Sequence, residues 1–289
     1  MPQQRRSVRR RKKHPLLTFL LLLLFCALFF RWSNRSLQIE TFDYTSPRLP
    51  ALFDGCVLVQ ISDLHGALFG EDNEELLEQV RRQAPDYILL TGDLQDQYRQ
   101  TPRSYSVSLG RALADIAPTF FVTGNHEWAF RDIRELKREL EEAGVTVLSN
   151  AYVPLERGGD TLVLSGIDDP NGFAGQKTPE ELAEEVRAAF GDPFWVLLAH
   201  RNNYFAEHYS RLGADLVVSG HGHGGIVRLP FLGGLIGTNR RLFPQWTSGL
   251  YAQGDSVLFV SRGLGNNTVP FQGFRIFNRP ELAVVTLKS

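Results

Sequence analysis

Short apolar runs alternate with amphipathic stretches along most of the chain. The runs are rich in Val, Ile, Leu and Phe and have the length of buried strands, whereas the stretches between them repeat their apolar residues at helical spacing. This alternation is typical of an α/β protein with largely parallel strands. The predicted strands cover residues 56–62, 87–91, 119–123, 145–149, 162–166, 195–199 and 216–219. The predicted helices cover residues 72–83, 105–116, 132–143, 179–190 and 204–211.

The pattern changes after Gly220 to glycine-rich turns and further strands. These strands are predicted at residues 226–229, 257–261 and 282–287, and we expect them to form a second sheet that packs on the first. Residues 33–55 lack periodicity and contain two prolines, so we interpret them as a tether that leads into a first edge strand. Residues 56–289 are predicted to form one domain, which is within the size range of a single α/β unit.

An uncharged and almost wholly apolar run at residues 15–30 precedes the domain and is closed by Arg31 and Trp32. As a helix it covers roughly 25 Å of a hydrocarbon core of about 30 Å, and the two closing residues can reach the membrane interface beyond it. The run ends without the small residues of a cleavage site. This favours an uncleaved transmembrane signal anchor at residues 15–32 over a cleaved signal peptide. A buried core helix is disfavoured because the run is apolar all round and directly follows a polybasic terminus. An Arg-Arg pair near the N-terminus leaves export by the twin-arginine route open.

Charge is distributed unevenly along the chain. The formal net charge is −1, from 31 Lys and Arg against 32 Asp and Glu, but residues 1–36 hold nine basic side chains and no acidic one. Residues 37–289 therefore carry a net charge of −10. By the positive-inside rule, residues 1–14 form a cytoplasmic tip, which predicts a single-pass protein of the cell membrane with its domain outside the cytoplasm. The acidic body argues against a nucleic-acid partner.

The small number of cysteines excludes two kinds of structure. The chain has only Cys26 and Cys56, too few for a disulfide framework or for a zinc site built from thiolates. Because Cys56 begins an apolar run, we interpret it as a buried hydrophobic residue.

Polar residues of the metal-binding type follow five of the predicted strands at their carboxyl ends, where open α/β sheets place their sites. Carboxylate, imidazole and amide oxygen form a mixed ligand set suited to Mn, Fe or Zn. Six or seven such groups are too many for one ion, whereas a carboxylate such as Asp93 can bridge two ions about 3.5–4 Å apart. Each motif alone is more often a turn or a helix cap, so the prediction depends on their conjunction. The residues are Asp63, His65, Asp93, Asn125, His200, His221 and His223.

The motifs occur in the order Asp-x-His, Gly-Asp-x-x-Asp, Gly-Asn-His-Glu, a single His and Gly-His-x-His. This order resembles that of the calcineurin-like metallophosphoesterases, and in particular their membrane-anchored bacterial branch, over about residues 56–280. The resemblance implies an α/β fold, a four-layer sandwich of two mixed β-sheets flanked by helices, behind an N-terminal transmembrane helix. It also implies one metal ion held by Asp63, His65, Asp93 and His223, and a second held by Asp93, Asn125, His200 and His221.

The hypothesis that follows is hydrolysis of phosphoesters, above all phosphodiesters and including lipid- or nucleotide-linked ones, at the outer face of the membrane. A hydroxide that bridges the two metal ions would attack phosphorus in line. His126, which is not a ligand in the family, would protonate the leaving oxygen or stabilise charge, and Asp96 would be the partner of this or another histidine. Arg201 is a candidate phosphate contact, or else an ordinary surface arginine. The alternatives are a non-catalytic, membrane-anchored metal-binding protein and a nuclease of the same fold.

Two positions depart from the family pattern. Gly222 stands where a Thr is usual between the last two histidines, and His200 is followed by Arg-Asn-Asn where relatives often have a proline. We expect the first departure to loosen the loop and the second to alter a substrate contact. The apolar segment 229–238 is interpreted as a packed loop, or alternatively as a lip that helps the domain reach a lipid-borne substrate.

Overall fold

The structure, a computed structural model, describes residues 14–172, 175–238, 240–267 and 273–289. Its helices are α1 (Pro15–Arg35), α2 (Glu74–Arg82), α3 (Arg103–Ala114), α4 (Ile133–Glu142) and α5 (Pro179–Phe190). Its strands are β1 (Gln38–Thr45), β2 (Val57–Ile61), β3 (Tyr87–Leu90), β4 (Thr119–Phe121), β5 (Val145–Val147), β6 (Ala151–Arg157), β7 (Asp160–Ile167), β8 (Trp195–Arg201), β9 (Leu216–Gly220), β10 (Arg228–Leu229), β11 (Gly233–Gly234), β12 (Gly249–Gln253), β13 (Ser256–Val260) and β14 (Glu281–Lys288).

Within the described residues the strands form two six-stranded mixed sheets and one short ribbon of β10 and β11. The first sheet has the order β1-β14-β2-β3-β4-β5, in which β2 to β5 are parallel and β14 is antiparallel to β2. The second has the order β12-β13-β9-β8-β7-β6, in which the four central strands are parallel and both edge strands are antiparallel to their neighbours.

The layers are held together by apolar cores on both faces of each sheet. On β3, Ile88 faces α2, α3 and α4, while its neighbour Leu89 faces the second sheet, as the two-residue period of a strand requires. On β8, Leu197 faces α5, while Leu198 faces the first sheet. Strands buried on both faces read as continuous apolar runs, which is why they stand out in the sequence. The predicted α/β four-layer sandwich, two mixed sheets flanked by helices, is confirmed.

Local signals fix the start of α5. The side chain of Thr178 accepts a hydrogen bond from the backbone N–H of Glu181, and the Glu181 carboxylate accepts one from the N–H of Thr178. Pro179 follows the N-cap Thr178 within this capping box and suits the first turn, where its missing N–H is not needed. The helix consequently has the bounds that the sequence predicts.

The division of strands between the sheets differs from the expectation. The second sheet does not begin after Gly220, because the predicted strands 162–166, 195–199 and 216–219 already belong to it as β7, β8 and β9. The predicted strand 282–287 returns to the first sheet as β14. Periodicity cannot show this, since a strand covered on both faces has the same pattern in either sheet.

Two local predictions were wrong, and two edge strands were missed. Residues 204–211 do not form a helix but lie within and between 3₁₀ turns at Asn202–Tyr204 and Tyr209–Arg211. Their apolar spacing is helical, but the segment is too short for a stable α-helix. Residues 226–229 contribute only β10, which lies outside both large sheets. The edge strands β6 and β12 were not predicted. A proline interrupts β6, and β12 contains a glycine and a glutamine and lacks a continuous apolar run.

In the part of the chain that the structure describes, α1 is the one helix long and apolar enough to cross a membrane. Its side chains are exposed along nearly its whole length, but Ser33 in its last turn is buried. The side chain of Asn34 donates to the carbonyl of Arg275 at 2.9 Å and accepts from the N–H of the same residue at 2.7 Å. The end of α1 is thereby joined to the domain. All of the expected cytoplasmic tip except His14 lies outside the described residues.

Candidate metal centre

The candidate ligands converge at the carboxyl-terminal edge of both sheets. They follow or end five strands, β2, β3, β4, β8 and β9, which run parallel within each sheet and therefore finish at the same edge. Because the two sheets are stacked, residues distant in the chain become neighbours there. The residues are Asp63, His65, Asp93, Asn125, His200, His221 and His223.

Asp63, His65 and His223 form the first group. Their candidate ligand atoms lie within 4.8 Å of one another, and all three residues are buried. Nε2 of His65 is 3.1 Å from Nε2 of His223, which in turn is 3.4 Å from Oδ1 of Asp63. Two ring nitrogens this close require either a proton between them or a cation that both face.

Asp93, His200 and His221 form the second group, again with ligand atoms within 4.8 Å of one another. Nε2 of His200 is 3.2 Å from Nδ1 of His221. Nδ1 of His200 is 2.7 Å from the carbonyl oxygen of Thr91, to which it can donate. A neutral His200 held in this way keeps the lone pair of Nε2 available for a metal ion.

Asp93 lies between the two groups. Its Oδ2 is 3.3 Å from Nε2 of His200 and 3.8 Å from Nε2 of His65. Its Oδ1 accepts a hydrogen bond from the backbone N–H of His126 at 2.8 Å, which fixes the orientation of the carboxylate. One oxygen thus faces both groups, the position of a carboxylate that bridges two ions.

Asn125 shows that the residues present fit a metal. Its Oδ1 is buried and, within the part of the chain that the structure describes, has no hydrogen-bond partner. Burying such an atom without a partner costs about 1–3 kcal/mol, which coordination of a cation would offset. An amide oxygen of this kind can join carboxylates and imidazoles in a set of nitrogen and oxygen ligands suited to a transition metal.

The backbone is strained at the site. Left-handed backbone conformations are uncommon for residues other than glycine and cost of the order of 1–3 kcal/mol, so the surrounding contacts must maintain them. Glycines leave the necessary room: a Cβ on Gly124 would lie 2.2 Å from Oδ1 of Asp93, and one on Gly220 would lie 2.3 Å from Oδ2 of Asp63. The candidate ligands with positive φ are Asp63 (50°), His65 (48°), Asp93 (53°), His221 (65°) and His223 (48°).

Burial and nearby negative charge shift the pKa values of the histidines in opposite directions. Burial lowers the pKa of His221 to about 3 and that of His223 to about 4. Burial also opposes protonation of His200, but the charge of Asp93 and the contact with it outweigh burial and raise the pKa of His200 to about 10. The site therefore concentrates enough negative charge to hold a proton, which a cation can replace.

His126 and Asp96 lie beside the first group. Nδ1 of His126 is 3.8 Å from Oδ1 of Asp96 and accepts a long hydrogen bond, 3.4 Å, from the backbone N–H of Gln97. Oδ2 of Asp96 is 3.9 Å from Nδ1 of His65. Asp96 thus faces two histidines. Because Nδ1 of His126 is the acceptor, a neutral His126 carries its proton on Nε2.

The side chain of Arg201 forms an ion pair with an acidic residue. Its Nε and Nη2 donate to the two carboxylate oxygens of Asp169 at 2.7 and 3.0 Å, a bidentate ion pair. The contact between Arg201 and phosphate stays a prediction, to which the structure adds no supporting distance.

Sequence reasoning assigned no role to Glu127 or to Arg275. Glu127 is the last residue of the Gly-Asn-His-Glu motif, so a signal for it was present, and its fully buried carboxylate supports the backbone of Asp93. Arg275 is also fully buried, and its Nη2 lies 3.5 Å from Nδ1 of His223. It lies in an irregular segment, and no motif surrounds it.

The two positions that depart from the family pattern, Gly222 and the segment after His200, lie against each other. A Cβ on Gly222 would lie 2.6 Å from Nδ2 of Asn202, which donates to the carbonyl of Trp246 at 2.8 Å. Asn202 therefore fills the volume that a larger residue at position 222 would need. The two positions are complementary, and the loop at Gly222 is packed against Asn202.

Comparison with known proteins agrees with this geometry. The family described as calcineurin-like phosphoesterase matches residues 57–225. The chain is 30% identical over 262 residues to the uncharacterized metallophosphoesterase YkuE of Bacillus subtilis, which covers 87% of this chain and 86% of that protein. It is 29% identical over 261 residues to an uncharacterized metallophosphoesterase of Aquifex aeolicus (88% and 92% covered). It is 28% identical over 254 residues to a Danio rerio protein described as a transmembrane protein with metallophosphoesterase domain (84% and 55% covered).

Fold, ligand clusters and sequence together define a metal-dependent hydrolase of phosphoric esters. The chain belongs to the calcineurin-like phosphoesterases. This confirms the family that the order of the motifs indicated.

Proposed function

We propose that the protein hydrolyses phosphodiesters with two metal ions bound at the carboxyl-terminal edge of its sheets. The observation that supports this most directly is the position of Asp93, whose Oδ2 lies 3.8 Å from His65 and 3.3 Å from His200. His65 and His200 belong to different groups of candidate ligands, a third group joins His65 and Asp93 with His126, and the candidate ligands are more numerous than one ion can use. A carboxylate between two such clusters is the arrangement of two-metal hydrolases.

The ligands divide between the ions according to the two clusters. Manganese, iron and zinc all suit the set of nitrogen and oxygen atoms. One ion would be held by Asp63, His65, Asp93 and His223, and a second would be held by Asp93, Asn125, His200 and His221.

Two bound cations supply a water-derived nucleophile at neutral pH and neutralise charge on the phosphoryl group. The protein's own contribution is to position them and to move a proton. His126 holds its proton on Nε2, because its Nδ1 faces the N–H of Gln97 and the carboxylate of Asp96. In its charged form His126 would carry a second proton, on the Nδ1 that faces Asp96, and could pass its Nε2 proton to the leaving oxygen, which leaves a neutral imidazole.

Charge at the site differs from charge on the domain. Residues 37–289 carry a net charge of −10, which repels a phosphodiester. Two divalent cations held there would exceed the negative charge of Asp63 and Asp93 and would dominate the local field. Substrate binding should consequently require the metals.

We further propose that α1 anchors the protein in the cytoplasmic membrane with the domain at the outer face. The basic residues that precede the apolar helix support this orientation through the positive-inside rule. Relatives from Danio rerio and Bos taurus are described as transmembrane proteins with a metallophosphoesterase domain, which supports the anchor.

The test is metal analysis combined with an assay of p-nitrophenyl phosphate, bis-p-nitrophenyl phosphate, a cyclic nucleotide and single-stranded DNA. We expect turnover of the aryl diester that disappears on chelation and returns with manganese, iron or zinc. Metal binding without any turnover would instead support the non-catalytic alternative. Preferred cleavage of the DNA would support a nuclease.

A further inference from the structure

The end of α1 joins the domain at the same edge as the candidate metal centre. β14 is antiparallel to β2 and β1 is parallel to β14, so β1 begins where β2, β3 and β4 end. Gln38, the first residue of β1, lies only three residues beyond the end of α1. Strand direction alone therefore places the helix next to the metal-site edge.

Direct contacts connect the end of α1 with the candidate metal centre. Asn34, in the last turn of α1, forms hydrogen bonds with both the N–H and the carbonyl of Arg275. The guanidinium of the same Arg275 reaches Nδ1 of His223 at 3.5 Å. The helix end and a candidate metal ligand are thus separated by the length of one arginine. Because Arg275 is fully buried, this connection is rigid rather than a flexible tether.

Exposed apolar side chains are concentrated at this edge. Of the nine exposed large apolar residues beyond α1 in the described ranges, all except Leu52 lie in loops that begin or end there, or at the start of β1. Phe231, which is fully exposed, and Leu232 follow β9, whereas Leu68 follows β2 and Phe277 precedes β14. Apolar residues concentrated in this way on one side of a protein mark an interaction surface.

Three of these residues, Leu68, Phe231 and Phe277, lie beside the end of α1, and Leu232 is the chain neighbour of Phe231. We call these four residues the rim. The ring of Phe277 packs against Phe29 of α1, with centroids 4.8 Å apart. Phe231 and Phe277 line an open cleft of about 610 Å³ together with Trp32. Leu68 lines a second groove with Asn34. The rim is therefore continuous with the apolar surface of the helix.

Cationic groups accompany the rim. Arg228 and Arg279 line the same cleft as Trp32, and the Arg279 guanidinium lies 5.2 Å from the centre of the Trp32 ring. Tryptophan and arginine beside an apolar helix are the residues that occupy the interface between lipid tails and headgroups. The rim thus has the composition of a surface that lies in a membrane interface containing anionic lipid.

We propose that the rim docks into the outer surface of the membrane that α1 crosses, and that the metal centre consequently faces phosphoesters carried by membrane lipids. This rests on the hydrolysis and the anchor proposed above. The lip expected from the sequence at residues 229–238 is here narrowed to Phe231 and Leu232, since Leu235 and Ile236 are only partly exposed. A substrate whose tail stays in the bilayer would present its phosphodiester at the level of the site.

Two probes with the same scissile bond test this with full-length protein in phosphatidylcholine vesicles that contain phosphatidylglycerol. One is ethyl p-nitrophenyl phosphate in solution, and the other is hexadecyl p-nitrophenyl phosphate in the vesicles. We expect the double variant Phe231→Ser/Leu232→Ser to lose about tenfold or more of its turnover of the hexadecyl probe. Turnover of the ethyl probe should not change, which also shows that the variant is folded.

Leu52→Ser is the matched control, because Leu52 is exposed on the opposite edge of the domain. It should alter neither activity. Equal turnover of the hexadecyl probe by the double variant and the unmodified protein would overturn the proposal, and so would an equal loss with both probes.

A second measurement does not depend on catalysis. Phe231→Cys and Leu52→Cys are each labelled with a fluorophore in a Cys26→Ser background, in which Cys56 stays buried and unreactive. Lipids that carry a nitroxide quencher should quench the label at position 231 but not the label at position 52. If the unmodified protein hydrolyses neither probe, the proposed function fails, yet quenching still decides the docking. An unquenched label at position 231 would contradict it.

Discussion

The carboxylate of Glu127 accepts a hydrogen bond from the backbone N–H of Asp93 at 2.8 Å. The same oxygen accepts a second bond from the N–H of Gly124 at 2.7 Å, and the other oxygen accepts one from Gln95 at 3.1 Å. Burial, followed by the neighbouring charge of Asp93, raises the pKa of Glu127 to about 7. This carboxylate holds together the segments that follow β3 and β4, and so fixes the strained backbone of the central candidate ligand.

Replacing Glu127 should therefore weaken both the fold and the site. Glu127→Ala leaves three buried N–H groups without an acceptor, and at about 1–3 kcal/mol for each group we expect a loss of about 3 kcal/mol or more in the free energy of unfolding, measured by urea denaturation. Glu127→Gln retains an acceptor oxygen and should lose less. Metal affinity should fall in the same order. A Glu127→Ala protein as stable as the unmodified chain would contradict the role given to this side chain.

The complementary pair Gly222 and Asn202 can be tested with a double-mutant cycle. Gly222→Ala places a Cβ against Nδ2 of Asn202 and should displace it from the carbonyl of Trp246, at a cost of about 1 kcal/mol. In an Asn202→Ala background the same substitution should cost little. Thermal or urea unfolding of the four proteins gives the coupling energy. Additive effects would show that the two positions do not share space.

His126→Ala should lower turnover while metal content stays unchanged. A general acid typically contributes about 100-fold or more to the rate, so a loss of this size is expected with an aryl phosphodiester. His208→Ala is a suitable control, because His208 is exposed and lies outside both ligand clusters. Loss of one metal equivalent from the His126→Ala protein would instead place His126 among the ligands.

Cation binding should release a proton at neutral pH. The pKa of His200 is raised to about 10, so this imidazole is protonated at pH 7 until a metal displaces the proton, whereas His221 and His223 are already neutral. Apparent affinity should consequently fall about tenfold for each unit that the pH drops below 10, down to about pH 5. Titration calorimetry in buffers with different heats of ionisation measures the release. Binding heat that is independent of the buffer would contradict the protonation of His200.

The convergence of the candidate ligands at one edge of the sheets could be predicted from the sequence, because each of them follows or ends an apolar run that forms a strand. The run that ends at Leu90 defines both β3 and the edge at which Asp93 lies. The support by Glu127 and the contact between Arg275 and His223 could not be predicted. Both depend on how segments without periodicity pack against distant strand ends.

The hydrophobic pattern also could not show to which of the two sheets each strand belongs. β14 has the apolar composition of a central strand, and only its pairing shows that it lies between β1 and β2 in the first sheet. That pairing sets the direction of β1, and hence places α1 beside the metal-site edge. The membrane proposal therefore depends on topology that the sequence did not reveal.

Anomalous X-ray diffraction from crystals grown with Mn²⁺ tests the central claim most directly. If Asp93 bridges two cations, the map will show two anomalous peaks about 3.5–4 Å apart, both in contact with its carboxylate. A single peak, or two peaks of which only one touches Asp93, would contradict the account.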